Sequence, residues 1–318
     1  MTTTRPGHQR GLTGERPRRG ATPDSLLGLH DAGYRTVAEL LGPGRVLDVG
    51  CGEGFESLRF CGAGRQVMAV DYSPEATEAA RRLACDGAAE PGRRVAPAPA
   101  PAFSVAQMDA LALGLADRAF DAVCSSHLVE HFSNPSVHVA ELARVTAAAG
   151  TAFFLTPNAP ADFENPFHLR LFGPEDLGDL LRASFGDVWV GGLDAIDRVK
   201  ADFAERRRRA SKLLRLDVLD LRHRIPRSWY VALYTRLLPV AYALVARHGR
   251  HGPDGPDGPE GHDDPVGARA DDWFVTDHVD ETTLVLFAVC RRPRGAAGDG
   301  PRDDPRIGPR DDPRIGRP

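Results

Sequence analysis

Cysteine is scarce in this chain, with five among 318 residues, at positions 51, 61, 85, 124 and 290. Their number is odd, they are scattered and none stands in a C-x-x-C pair, so neither a disulfide framework nor a zinc site is indicated. They read as small buried hydrophobes in a reducing cytosol, and a cytoplasmic location is expected. Lysine is nearly absent: Lys200 and Lys212 are the only two, and arginine supplies almost all the positive charge. With so much Ala, Gly and Pro, that bias reads as codon usage rather than mechanism. The formal net charge of −4 gives no overall field for nucleic acid or a membrane. Long apolar runs are missing as well. The most apolar stretch, from Trp229 to Ala246, is interrupted by Arg236 and Pro239 and falls short of the ~20 residues a spanning helix needs. The N-terminal arginines have no apolar segment of signal-peptide length behind them, so export is not expected. No carboxylate cluster suggests a metal, and His248, His251 and His262 show no ligand geometry; no metal site is expected.

What the chain does contain is a strand, a glycine turn and a helical pattern over residues 45–54, RVLDVGCGEG. Val46 to Val49 read as a short buried parallel strand. Gly50, Gly52 and Gly54 follow at alternate positions, and Phe55 opens a helical pattern. Glycine permits positive φ and leaves no Cβ between main chain and ligand, so a flat or extended small molecule can lie against peptide edges there, beside a helix N-terminus. Dinucleotide enzymes use G-x-G-x-x-G at such a turn, which places a pyrophosphate on the helix. The spacing here is different. Asp48, two residues before Gly50, suits organisation of the loop or a cationic group on an amino-acid-bearing ligand better than a phosphate. A second strand, 66–70, ends at Asp71, and Tyr72-Ser73-Pro74 opens the next helix with Pro74 at its first position. Asp71 stands where an acid at a strand end takes two ribose hydroxyls.

The D-x-G-x-G-x-G form from Asp48 to Gly54 resembles the first motif of class I S-adenosylmethionine (SAM)-dependent methyltransferases. Asp109, after a third strand at 103–107, matches the position where that family accepts from the adenine amino group, a placement NAD binding explains poorly. Residues 120–123, Phe-Asp-Ala-Val, resemble the family's F-D-x-V fourth strand. His127-Leu128-Val129-Glu130-His131 resembles the L-E-H stretch after it in small-molecule methyltransferases. Asn165-Pro166-Phe167-His168, continuing to Glu175 and Leu177, resembles a lid-like segment in one bacterial group acting on small molecules. The resemblance covers roughly 36–192 and 273–291. It implies a Rossmann-like α/β fold: a seven-stranded, mostly parallel sheet with strand seven antiparallel, helices on both faces, and a helical insertion between strands six and seven. It implies SAM as cofactor, held by Asp48, Gly50, Cys51, Gly52, Gly54, Asp71, Tyr72, Met108, Asp109, Ala110 and Ser125. A methyl transfer to a small-molecule hydroxyl (sugar, lipid or secondary metabolite) is implied, with His131, His168 and His127 as catalytic candidates. A SAM-binding regulatory or scaffold protein is the alternative; an NAD-linked oxidoreductase is disfavoured by the missing glycine pattern.

The remaining elements follow the same division. Residues 1–22 and 293–318 read as disordered, the latter carrying two copies of Pro-Arg-Asp-Asp-Pro-Arg-Ile-Gly. The core is expected over 23–195, with a first helix at 24–42, a helix from Pro135 to about Ala148 capped by Gly150, a fifth strand at 151–155 and a sixth at 186–193. Thr156, Asn158, Ser125, His127 and His131 are expected to face one crevice. Residues 196–248 form a helical insertion or lid, and 225–246 allow a peripheral contact with the inner membrane face. Residues 249–270 form a linker, and 271–292 return to the core as its final strand.

Overall fold

The computed structural model describes residues 22–62, 64–86, 102–162, 168–214 and 266–294. Almost all of the expected tails, most of the insertion (225–246 included), residues 249–265 of the linker and residues 163–167 of the lid-like segment lie outside the described residues. Residues 266–270, placed in the linker by the sequence, are ordered against the core, where Gly267 O accepts from Trp273 Nε1 at 2.9 Å. An eight-stranded sheet runs through the molecule in the order β3-β2-β1-β4-β5-β8-β6-β7. Here β1 is Gly44–Val49, β2 Arg65–Asp71, β3 Phe103–Gln107, β4 Phe120–Ser126 and β5 Thr146–Pro157. These five pair in parallel, while β8 (Val285–Pro293) runs antiparallel between β5 and β6 (Phe185–Ala195). The expected antiparallel final strand beside strand five is therefore present. An eighth strand, β7 (Trp273–Thr276), extends the sheet by pairing antiparallel with β6.

Alternation along each strand divides the core in two. From β1, Val46 points to the face covered by α1 (Asp24–Leu40) and α5 (Asp197–Leu214), where Leu29, Val37, Val199 and Phe203 are buried. Leu47 and Val49 point to the other face, under α3 (Pro135–Val145) and α4 (Pro174–Arg182), with Val139, Leu142, Leu177 and Leu181. The same alternation sends Cys124 and Phe153 to the first face and Val123 and Phe154 to the second. Helix α2 (Pro74–Asp86) packs along β2 and β3.

Two local expectations fail. The glycine turn does not lead into an α-helix: a single 3₁₀ turn, Ser57–Phe60, follows it. Only a few residues separate the loop from Gly62 and Gly64, whose φ values of 95° and 73° turn the chain directly into β2. Buried Phe60 closes that short crossover. Nor does α3 reach Ala148. It ends at Val145, Thr146 already pairs with Phe120 in β5, and the register then jumps from Phe120 to Ala122. Gly150 sits in that irregularity rather than capping a helix. A Cβ on it would lie 2.9 Å from the Asp121 carbonyl oxygen and 3.0 Å from that of Ala147. Among the described residues no helix is long and apolar enough to cross a membrane.

Candidate active site

The strand order reverses between β2 and β4 on either side of β1, so a crevice opens beyond the carboxyl ends of β1 and β4, where open α/β sheets bind ligands. The glycine loop forms one wall. Gly50, Gly52 and Gly54 have φ of 83°, 56° and 83°, conformations that L side chains rarely adopt. Gly50 and Cys51 donate their N–H groups to Val70 O at 2.8 and 3.0 Å, and Gly52 donates to the Asp71 carboxylate at 3.0 Å. The other Asp71 oxygen accepts from the Ser73 N–H at 2.8 Å. Loop and β2 end are thus fastened to each other, and Asp71 keeps acceptor capacity, since a carboxylate offers about four lone-pair sites. A Cβ on Gly54 would press on Ala80 of α2 at 2.9 Å, and one on Gly50 on Leu128 at 2.9 Å. Over Gly52 nothing lies within 4 Å of that position. The middle glycine opens onto space; the outer two pack the loop down.

Beyond the end of β2, Tyr72 is about half exposed, and its carbonyl accepts from Gln107 Nε2 at 3.0 Å. Met108, Asp109 and Ala110 follow β3, half-buried. Met108 donates its N–H to Asp71 O at 3.0 Å, and Asp109 caps the turn through Leu111 N–H at 2.9 Å. The ends of β2 and β3 are brought together as the sequence suggests.

Other predicted residues turn away from the crevice. Asp48 shares the α1 face with Val46 and is fully buried. It accepts from Ser57 Oγ at 2.5 Å and from Tyr34 Oη at 3.2 Å. Burial pushes its pKa from 3.8 up to about 7, against the hydrogen bonds from Ser57 and Tyr34, which lower it. Its reach is to the 3₁₀ turn behind the loop, which it organises. Cys51 is buried, with its thiol toward the Gly52 carbonyl. Ser125 points to the α3 face, where its Oγ meets His138 Nε2 at 2.9 Å while His138 Nδ1 meets Ala110 O at 3.0 Å. The carbonyl requires Nδ1 to carry the proton, so Ser125 donates to Nε2. Burial lowers the His138 pKa to about 4, holding the ring neutral. Asn158 spends its amide on the carbonyls of Asp280 and Thr283 at 2.8 and 2.9 Å, fixing the approach to β8.

The opposite wall is a cluster of imidazoles around one carboxylate. His127 follows β4 directly and holds φ at 51°, a left-handed conformation that is uncommon outside glycine. Its N–H donates to Leu155 O at 2.8 Å, which redirects the chain into the 3₁₀ turn Val129–His131. The His127 ring packs on His30 of α1 with centroids 4.4 Å apart, and His131 meets His168 edge to face at 5.2 Å. His168 is carried there by the chain after residue 167, because Leu169 and Arg170 donate their N–H groups to Glu130 O at 2.8 and 3.1 Å. Asp162 accepts from His168 Nδ1 at 2.9 Å and orients the ring. Glu130 is completely buried; Thr156 Oγ1 donates to its Oε2 at 3.0 Å. Burial raises the Glu130 pKa, opposed by the charge of His131 and His168. Burial, with His30, His168 and His131 close by, holds His127 well below its ordinary value.

All three predicted histidines therefore meet in one place. Sequence reasoning missed Glu130, Asp162, His30 and the His138–Ser125 pair. Glu130 and His131 are adjacent in the sequence, but no spacing ties them to residues 162 and 168. The His138 signal was legible: it occupies the apolar stripe of α3 with Val139 and Leu142, where an imidazole needs a partner.

A family model described as a methyltransferase domain matches residues 47–154, from within β1 to within β5. A "Probable S-adenosylmethionine-dependent methyltransferase" of Mycobacterium tuberculosis is 31% identical over 171 residues, 52% of this chain and 57% of that protein. A "Ubiquinone biosynthesis O-methyltransferase" of Xanthomonas oryzae pv. oryzae is 33% identical over 138 residues, 43% of this chain and 52% of that protein. The chain spans about half the length of these curated relatives. Among solved structures, the [4+2]-cyclase SpnF aligns over 89% of this chain and 88% of its own, at 19% identity and a TM-score of 0.48, too distant to carry an argument. The glycine loop fastened to Asp71, the strand order around it and the domain match agree: residues 47–154 match a methyltransferase domain, and over that region the chain is similar to SAM-dependent methyltransferases.

Proposed function

We propose that this protein transfers a methyl group from SAM to a hydroxyl oxygen of a small molecule. The observation that carries the reading is the open cradle over Gly52, bounded by the acid Asp71 and faced by the imidazole cluster after β4. The residues present fit the cofactor. The loop at Gly50–Gly54 would lie under its amino-acid end, Asp71 would accept from its ribose hydroxyls, and Asp109 with Met108 and Ala110 would border its adenine. When bound, SAM supplies a sulfonium-activated methyl group. The chain's own contribution is alignment, which can account for most of the acceleration in an in-line displacement. A hydroxyl acceptor must also lose a proton. His131 and His168 are the candidates to receive it, with Asp162 orienting the His168 ring through Nδ1. His127, deeply buried and held neutral, reads as a wall of the site rather than its base.

A hydroxyl acceptor is supported by the name of the Xanthomonas relative and by the imidazoles, which a more nucleophilic acceptor would not require. We further assign 23–195 and 271–292 to the catalytic core, with α5 packed on that core through Val199 and Phe203 and bordering the site. Arg207 of α5 supports this, since it donates to the Pro160 carbonyl, two residues from Asp162. The test is calorimetric titration of the full chain with SAM, followed by an acceptor screen that detects demethylated cofactor. Saturable binding and turnover with a hydroxylated acceptor are expected. A folded protein that does not bind SAM refutes the reading; binding without turnover on any acceptor supports a regulatory role instead.

A further inference from the structure

Glu130 is a fully buried carboxylate with one oxygen served and one not. Thr156 donates to Oε2, while Oε1 takes no hydrogen bond among the described residues, and His127 Nδ1 stands 3.7 Å from it. Buried charges are normally paired, hydrogen-bonded or bound to metal, and an unserved buried polar atom costs about 1–3 kcal/mol. One potential ligand atom from each of Glu130, His131 and His168 lies within 4.8 Å of the others. The second sphere is also in place. Asp162 accepts from His168 Nδ1 and orients the ring, and Thr156 holds the carboxylate from behind. Carboxylate–imidazole and hydroxyl–carboxylate pairs of this kind orient ligands in metal sites.

We propose that Glu130, His131 and His168 form a divalent-cation site at the acceptor end of the crevice. Two imidazoles and one carboxylate suit a first-row transition ion such as Zn²⁺, Co²⁺ or Mn²⁺, whereas Mg²⁺ prefers an oxygen shell. Bonds of about 2.0–2.2 Å would require the three side chains to draw inward by roughly an ångström, a matter of side-chain rotation. Three protein ligands leave coordination positions open toward the crevice, as catalytic sites do. Resting on the methyl-transfer reading, the consequence is chemical: a cation there would attract the acceptor oxygen and lower the pKa of its hydroxyl. With His131 and His168 engaged as ligands, neither ring serves as the base when the metal is bound: the proton would leave to water, the O–CH₃ bond would form as the S–CH₃ bond breaks, and the sulfonium would end as a neutral thioether.

The test uses the full chain, stripped with a chelator and titrated calorimetrically with ZnCl₂ and separately with MgCl₂. The cobalt(II) absorption spectrum serves as a second readout. One Zn²⁺ per chain is expected, with far weaker Mg²⁺ binding. Glu130→Gln and His168→Asn should each weaken Zn²⁺ at least about a hundredfold, and Asp162→Asn by about 10–100-fold, the range for a second-sphere partner. Absence of stoichiometric Zn²⁺ binding, or equal affinity in the Glu130 and His168 variants, overturns the proposal. Should Glu130→Gln not fold, Asp162→Asn and the cobalt spectrum decide alone, and an unchanged affinity and spectrum refute it. SAM titration separates the two readings: a chain that binds SAM but no Zn²⁺ sinks only this inference, and a folded native chain that binds no SAM sinks the reading beneath it.

Discussion

Asp48 offers the sharpest test of how the site is built, because its predicted effect has a sign and a pH window. It is the fully buried acid behind the glycine loop, held by Ser57 and Tyr34, and its pKa rises from 3.8 to about 7 on folding. An acid raised in this way leaves its full contribution to stability below about pH 4 and loses it as pH climbs through 7, because the folded state must then bury the charge. Linkage over that window gives a loss of roughly 2–3 kcal/mol between pH 5 and pH 8 from this residue alone. Asp48→Asn keeps the shape and cannot ionise; both hydroxyls can reverse and accept from its amide. Urea unfolding of native protein and variant, across pH 5 to 8, isolates the effect in the difference between them, where every other titrating group cancels. The variant should gain on the native protein steadily as pH rises. A difference that stays constant with pH means Asp48 does not titrate in that window, and the account of burial overriding the Ser57 and Tyr34 hydrogen bonds is wrong.

Three further outcomes are expected. Gly52→Val meets no neighbour but fills the open cradle and forces a β-branched residue to a φ of 56°; SAM affinity measured by calorimetry should fall more than about a hundredfold, while strain costs about 1–3 kcal/mol in thermal unfolding. His138→Leu strips the partner from buried Ser125 and from the Ala110 carbonyl and should cost about 2–4 kcal/mol in urea unfolding, part of it recovered by adding Ser125→Ala. Gly150→Ala drives a methyl into the carbonyls of Asp121 and Ala147 and should destabilise by about 1–3 kcal/mol; a neutral result would mean the β4–β5 irregularity yields freely.

The strands were easy to read because each is a short apolar run closed by a glycine or an acid, and β3 has the predicted bounds. The cofactor wall was legible for a related reason. Its residues come in one local run after β1 or at the ends of β2 and β3, where topology alone brings them together. What sequence could not show was direction. Asp48 and Ser125 stand in the right places, yet the two-residue period of their strands aims one at Tyr34 and the other at His138. Whether a strand-end polar group faces ligand or core depends on which helix covers that face, and this is a tertiary fact. The Glu130 cluster was hidden for the same reason. Two backbone hydrogen bonds to Glu130 O bring His168 across 38 positions of sequence, and no periodicity encodes that. The α3 boundary failed because alanines at 147–149 favour helix, while the β4 edge recruits Thr146 into the sheet.

The position of β8 has a consequence for synthesis. It is the last strand in chain order among the described residues, yet it lies in the interior of the sheet, hydrogen-bonded to β5 on one side and β6 on the other. A nascent chain that has emerged as far as β7 must therefore hold two complementary strand edges apart, each with its ladder of peptide groups unsatisfied. Either edge could pair with the wrong partner during that interval. The sheet closes from the middle when β8 inserts, so the core seals only after synthesis has passed Pro293. A ribosome stalled before Val285 would present a core with an open seam.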